Sequence, residues 1–432
     1  MTKIWHGFLQ QYFYKLHGLA QNLPFWFAIH AVLFLCIFIN LGLTYYIYPT
    51  PGAMGNTIAL NMLEGQIPYS DFTYEYPPLT LLIYVIPALF FRSLSSYYVA
   101  FAAEIFLFDL LAMALIVYIS RRLNISTVRS LTAYTLFIAI VAGPIIIQRH
   151  DLVAAVLVLA ALAALIKGKS KTAWAVLAMS VMVQLYPLVV APLFAIWHII
   201  KGQYRQLVKG ATVFLAVIFV IAIPWVIIDA QGFWGSISYH LERGLHAESS
   251  YGSFILIGQL LGLTQVEGGF SYGSYNLISP LADNISEASL YIMAVLFIAL
   301  YLLFAFQLKK RQNSIISLET PATETEATLL RYTSLAIIAF LLSCKVFSVQ
   351  YMIWLCPLVP LLNIRRSNLI FILFLIAGAL TLYIYPFNYT PFARFETTPV
   401  IIMASRNFLV LVIGALIVFS NRAKAAKKSS YL

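Results

Sequence analysis

Charged side chains are scarce in this 432-residue sequence: Asp, Glu, Lys and Arg together make up 10% of it, against about 25% in a soluble domain. With 62% hydrophobic residues and a mean hydropathy of +0.87, that shortage excludes a soluble globular class and leaves the membrane class. Cysteine is nearly absent. Cys36, Cys344 and Cys356 all lie inside apolar runs without metal-ligand spacing, so they read as buried thiols. No long apolar stretch with a small-residue cleavage site precedes Gln21, which argues against a cleaved signal peptide. The net charge of +11 raises nucleic acid as a partner. Its distribution excludes that reading, because Lys and Arg fall in short clusters between apolar runs rather than on a basic face with exposed aromatics.

What the sequence has in abundance is apolar runs. A helix needs about 20 apolar residues to cross the hydrocarbon core. On that rule crossings are expected near 24–47, 98–119, 130–148, 151–167, 172–186, 187–200, 211–229, 287–307, 333–347, 350–363, 368–386 and 398–420. The fold class expected is therefore an all-α polytopic membrane protein with about 12 transmembrane helices plus juxtamembrane helices on the outer surface. The run 78–92 is read as one of those outer-surface helices. Counting it as a crossing would move Arg121, Arg122, Arg129, Lys167, Lys169 and Lys171 to the outside, against the positive-inside rule. Both termini then face the cytoplasm in a cell membrane, and outer segments remain at about 48–97, 230–286 and 387–397. Residues 1–23 mix aromatics with Lys3 and Lys15 and fit an interfacial cytoplasmic helix, ahead of a membrane domain over 24–420. Residues 421–432 form a basic cytoplasmic tail, and a polar cytoplasmic linker is expected over about 308–332, most markedly 312–330.

Acidic residues are asymmetric as well. Apart from Glu319, Glu324 and Glu326, every Asp and Glu maps to the outer side or to a span. Carboxylates beside a few isolated cations suit general base chemistry next to an anion. Four stretches carry them. Gly65–Pro78 holds Asp71 and Glu75 on an outer loop, where they can cap turns and bind water or act on a substrate; it ends at Pro77-Pro78, where a new helix can start. Gln148-Arg149-His150-Asp151 joins two apolar runs; Arg149 and Asp151 point to different sides of a helix, and Asp151 can equally be a helix cap. In the segment 238–249, a helix would put His240 and Arg243 on one face, as a surface loop with salt bridges or as part of a site. Lys345, in the segment 343–357 with Gln350, sits at the outer end of a span and needs an anion unless it snorkels to headgroups. Glu104 and Asp109, inside one span, read as structural hydrogen-bond partners between helices.

Five short motifs carry a resemblance. G-x-x-P-Y-x-D-F-x-x-E-Y-P-P-L (Gly65–Leu79), R-H-D-L-V-A-A-V-L-V (Arg149–Val158), V-Q-L-Y-P (Val183–Pro187), H-L-E-R-G-L-H-A-E-S (His240–Ser249) and K-V-F-S-V-Q-Y-M-I-W-L-C-P (Lys345–Pro357) occur in that order. Together they resemble the GT-C superfamily of integral membrane glycosyltransferases, and within it the family 87 mannosyltransferase type. The resemblance implies transfer of a sugar, mannose at the family level, from a polyprenyl-phosphate donor to a glycolipid or glycan acceptor at the outer face. Transfer inverts the sugar, and an outer-loop carboxylate is the base. It implies no cofactor beyond the lipid-linked donor itself, with membrane lipids as partners and no nucleic acid.

Relatives commonly carry the base on an Asp soon after the first span, and here that region reads Thr50-Pro51-Gly52-Ala53-Met54-Gly55-Asn56, with no acid. The base is then expected at Glu75, followed by Asp71 and Asp151. Lys345 and Arg243 are expected to hold the donor phosphate. Gln350, Arg149, His240, Gln184 and Tyr186 are expected at the phosphate or sugar, Gln184 standing where relatives commonly have Lys. The outer loops contain no Asp-x-Asp pair, so no metal is implied. A transporter or flippase of a lipid-linked saccharide would favour internal repeats, which the sequence does not show; a catalytically silent relative is the remaining alternative.

Overall fold

The computed structural model describes residues 23–39, 51–316 and 323–420. The interfacial helix expected over 1–23, save its last residue, and the tail 421–432 lie outside the described residues. In chain order, α1 (Leu23–Ile37), α2 (Pro51–Leu63), α3 (Leu79–Phe90), α4 (Leu94–Arg122) and α5 (Thr127–Phe137) come first. Then follow α6 (Asp151–Ile166), α7 (Ser170–Val183), α8 (Ala191–Ile200), α9 (Tyr204–Ile228), α10 (Ala230–Glu242) and α11 (Ser250–Leu260). A hairpin of β1 (Glu267–Ser271) and β2 (Ser274–Ile278) leads into α12 (Pro280–Ile316), α13 (Thr323–Ser343), α14 (Ser367–Leu382), α15 (Tyr389–Ala393) and α16 (Thr397–Phe419).

Among the described residues, seven helices are long and apolar enough to cross a membrane: α4, α5 with its extension to Ile147, α9, α12, α13, α14 with its extension to Phe387, and α16. The chain is a mostly helical, multi-pass membrane protein. Four other expected crossings fall on shorter elements: α6, α7, α8 with the 3₁₀ turn before it, and the 3₁₀ segments between Val349 and Leu361. Of the crossing expected at 24–47, α1 covers the first part and residues 40–47 lie outside the described residues. The 14 residues of α7 span about 21 Å, short of the roughly 30 Å hydrocarbon core. α6 and α7 lie largely inside the bundle. α6, apolar all round, is buried on nearly every side, as such a helix must be. By contrast α9 and α12 leave Phe219, Ile227, Val295 and Phe306 exposed, the apolar surface that lipid requires.

One polar cluster ties three helices together inside the bundle. His30 of α1 reaches Asp109 of α4 at 2.5 Å and Thr135 of α5 at 3.0 Å. Tyr134 donates to the second Asp109 oxygen at 2.5 Å. Asp109 is thus the interhelical partner expected of it, whereas Glu104 keeps a buried carboxylate oxygen without a partner among the described residues.

Two features depart from expectation. The hairpin is the first: Glu267 pairs with Ile278 through Ser271 with Ser274, and Tyr272 (φ 51°) and Gly273 (φ 66°) make the turn. Two left-handed residues between antiparallel strands match their right-handed twist. The second is the linker 312–330. α12 continues to Ile316 and α13 begins at Thr323, so most of it is helical. Its two described acids are paired, Glu326 with Arg122 at 3.0 Å and Glu324 with Arg311 at 3.8 Å, which replaces the solvation expected of a polar tether.

Candidate active site

The loop between α2 and α3 begins the site. Pro78 stands at the N-cap of α3, where its missing amide proton is no loss, as the Pro-Pro pair anticipated. Upstream, Tyr69 takes φ 70°, a conformation a bulky residue adopts only when its surroundings impose it. Its amide donates to Phe72 O at 3.1 Å and its hydroxyl to Tyr76 O at 2.7 Å. Its ring is enclosed edge-on by Tyr74, Trp225 and Phe233. Gly232 of α10 lies so close that a Cβ there would come within 1.9 Å of Tyr69 O. The loop and α10 therefore form one unit. His240 Nε2 completes it by donating to Glu75 O at 2.8 Å.

The Arg149 element is placed by a break in α5. Gly143 (φ 47°) and Pro144 interrupt the regular helix and start a 3₁₀ turn over Gly143–Ile147; a side chain at Gly143 would be strained, and Pro144 cannot donate to a continuing helix. α6 then starts at Asp151, and Arg149 stands in the gap.

These pieces enclose a cavity of about 730 Å³, whose wall includes Glu75, Arg149, Gln184, Tyr186, His240, Arg243, Lys345 and Gln350. Sequence reasoning named all eight, and they come from five separate stretches of chain. Two further candidates are placed elsewhere. Asp71 is exposed on the loop surface, where its carboxylate accepts the Ile67 amide proton at 2.7 Å. Asp151 is buried behind the wall, accepting from Gln184 Nε2 at 3.0 Å and Trp354 Nε1 at 2.8 Å through one oxygen. The shared helical face expected for His240 and Arg243 does not form. α10 ends at Glu242, Arg243 turns away with ψ 135°, and its Nε donates to Ser274 Oγ on the hairpin at 3.2 Å. Lys345 Nζ donates to Leu241 O at 2.7 Å, so a carbonyl orphaned at the end of α10 holds it.

Electrostatics around Glu75 favour proton acceptance. Burial raises its carboxyl above the usual carboxylate range, and the Arg149 and Arg243 guanidiniums offset part of that rise. The histidines nearby are neutral. Burial and then Arg149 push His150 down to about 3, and burial lowers His240 and His246.

Other wall residues had escaped notice. Glu248 is buried, and Val349 N donates to it at 2.9 Å, the Tyr389 hydroxyl at 3.0 Å, with His246 Nε2 at 3.3 Å. Burial opposes its charge, but His246, Arg406 and Tyr389 outweigh burial and hold the carboxyl below its ordinary range. Trp354 is sandwiched between Tyr186 at 3.8 Å and Tyr351 at 4.1 Å. Glu248 lay within the stretch already singled out around Arg243, so its acid was a signal; Tyr389 lies in the short outer segment and offered none. Among the described residues, no group of three or more His, Cys, Asp or Glu side chains converges as a metal-ligand set.

The sequence matches the family model described as Glycosyltransferase family 87 over residues 72–319, more than half of the chain. No curated protein matches. Among solved structures, the crystal structure of ArnT from Cupriavidus metallidurans in the apo state is similar with a TM-score of 0.45 and 12% identity, covering 90% of this chain and 77% of that one. The family match spans the loop that carries Glu75 and the elements that carry Arg149, Gln184, His240 and Arg243, and on it the chain belongs to glycosyltransferase family 87, as a multi-pass membrane glycosyltransferase.

Proposed function

We propose that the protein transfers a sugar, with mannose the first candidate, from a polyprenyl-phosphate donor to a hydroxyl of a glycolipid or glycan. The observation that carries this reading is the meeting of one raised carboxyl, Glu75, with three cations, Arg149, Arg243 and Lys345, in a single cavity. The same wall includes Leu290, Met293 and Phe340, apolar surface suited to a lipid chain.

In this mechanism Glu75 takes the proton of the acceptor hydroxyl. The hydroxyl oxygen forms a bond to the anomeric carbon as the bond from that carbon to the phosphate oxygen breaks, inverting the sugar. The electron pair leaves with the lipid phosphate, which gains a negative charge. Arg243 and Lys345 stabilise that charge where it develops. Arg243 suits the role because its Nε is held by Ser274, which leaves two Nη groups for the phosphate. Glu75 then returns its proton to water. The positive-inside distribution supports an outward-facing site, with both termini cytoplasmic.

The test is an assay of purified protein in lipid with polyprenyl-phosphate mannose, glucose and arabinose, each with native membrane lipids as acceptor. Release of polyprenyl phosphate that depends on acceptor is expected. Binding of polyprenyl phosphate without turnover of any donor would favour a transporter or a catalytically silent relative.

A further inference from the structure

Three buried polar atoms of cavity-wall residues have no protein partner among the described residues: His246 Nδ1, Gln184 Oε1 and the Tyr186 hydroxyl, and the last two belong to one stretch of chain. The neighbours of Gln184 decide which end of its amide is left over. Trp354 Nε1 can only donate, and it donates to Asp151 Oδ1. That oxygen is therefore an acceptor, and the amide turns its NH₂ group to it. The carbonyl Oε1 remains. It can only accept, and so can the oxygens of a phosphodiester, so the two repel rather than bind. An occupant that satisfies Oε1 must bring a hydrogen-bond donor, and the donors that a neutral sugar on a lipid phosphate carries are its hydroxyls. Tyr186 is fixed beside it by stacking on Trp354, the rings 3.8 Å apart and 5° from parallel, and its hydroxyl can donate as well as accept.

We propose that Gln184 and Tyr186 form the subsite that reads hydroxyls of the transferred sugar, with Asp151 as the positioning residue that sets the amide. This rests on the lipid-linked donor reading and moves Gln184 away from the phosphate. A buried acceptor left unpaired is costly, so the subsite discriminates against a sugar that lacks the matching hydroxyl.

The experiment uses whichever of polyprenyl-phosphate mannose, glucose or arabinose turns over, its deoxy analogues, and polyprenyl phosphate as a sugar-free probe. Gln184→Leu and Tyr186→Phe should each raise the donor KM about threefold to tenfold and reduce discrimination against one deoxy sugar. Polyprenyl phosphate should bind these variants within about twofold of the original. Asp151→Asn keeps Oδ1 for both N–H groups and should restore most of what Asp151→Ala loses. An equal loss of polyprenyl phosphate affinity in Gln184→Leu would place that residue on the phosphate and overturn the inference. So would unchanged KM and discrimination in variants that melt like the parent, or loss of kcat in Asp151→Asn, which would make that carboxyl a reacting group. If the unaltered protein bound no lipid-linked sugar at all, the donor reading itself would fail, and this inference with it.

Discussion

His240 Nε2 donates its proton to the carbonyl oxygen of Glu75 across 2.8 Å. A carbonyl only accepts, so the bond fixes the imidazole as the Nε2–H tautomer. It also ties the loop between α2 and α3 to α10, residues 165 positions apart in sequence. The Glu75 carboxyl is thereby carried on a backbone held from both sides, which general base catalysis requires if the proton acceptor is to stay within reach of its donor.

Replacing Glu75 with Gln should lower turnover by about a hundredfold or more, while affinity for polyprenyl phosphate stays close to the parent value. Asp71→Asn should retain nearly all activity, since that side chain is exposed and serves the Ile67 amide. Single-turnover release of polyprenyl phosphate measures both. The reverse pattern would give the base role to Asp71.

The pH profile follows from the same carboxyl. Glu75 acts as base only when ionised, and burial raises its carboxyl, so kcat should climb with pH through a range above the ordinary carboxylate one. Burial lowers His150, His240 and His246, so a limb from any of them lies below the ordinary imidazole range. Stability should carry the opposite sign: protonation favours the folded state, so the Glu75 contribution is present at low pH and lost as pH rises through its raised value. A rate profile whose acid limb persists in the residual activity of Glu75→Gln would assign the limb to another group.

Arg243 and Lys345 should govern the phosphate. Arg243→Ala should weaken polyprenyl phosphate binding by about tenfold to a hundredfold, the range of a charge-assisted hydrogen bond. Arg243→Lys should recover little, because lysine lacks the fork that one nitrogen on Ser274 orients. Lys345→Met should weaken binding and also loosen the end of α10 that Lys345 holds through Leu241 O. Isothermal titration in lipid nanodiscs reads both effects. Unchanged affinity in both variants would remove the phosphate role.

The cluster of His30, Asp109 and Tyr134 should matter to stability and not to the reaction. None of the three lines the cavity. Asp109→Leu leaves two buried polar groups without their acceptor and should cost about 2–5 kcal/mol. A lowered melting temperature with an unchanged donor KM is expected. A changed KM with unchanged melting would show a link to the site.

Much of the site was legible because its residue types are expensive where they stand. A lone Lys345 at the outer end of a span, or Arg149 between two apolar runs, survives against the hydrophobic gradient only with a purpose or a partner. Ranking such residues was harder. Asp71 and Glu75 lie four apart on one loop, and nothing local separates a carboxylate that caps a turn from one that faces a cavity. Asp151 presented the same ambiguity. Its partners Gln184 and Trp354 come from 33 and 203 positions away, and no periodicity encodes such meetings.

By itself the sequence determined that this chain lives in a membrane, which runs are apolar, and which polar residues resist that environment. Those are properties of composition and spacing, and water and lipid act on them residue by residue. Only the tertiary structure decided which apolar runs face outward and which lie inside the bundle, since burial of α6 and α7 depends on neighbours. It also decided that Glu75 faces the cavity while Asp71 faces solvent. That distinction comes from the contact of Gly232 with Tyr69 and the bond from His240 to Glu75. Both join segments distant in the chain, and such contacts gain their energy only once the bundle has formed.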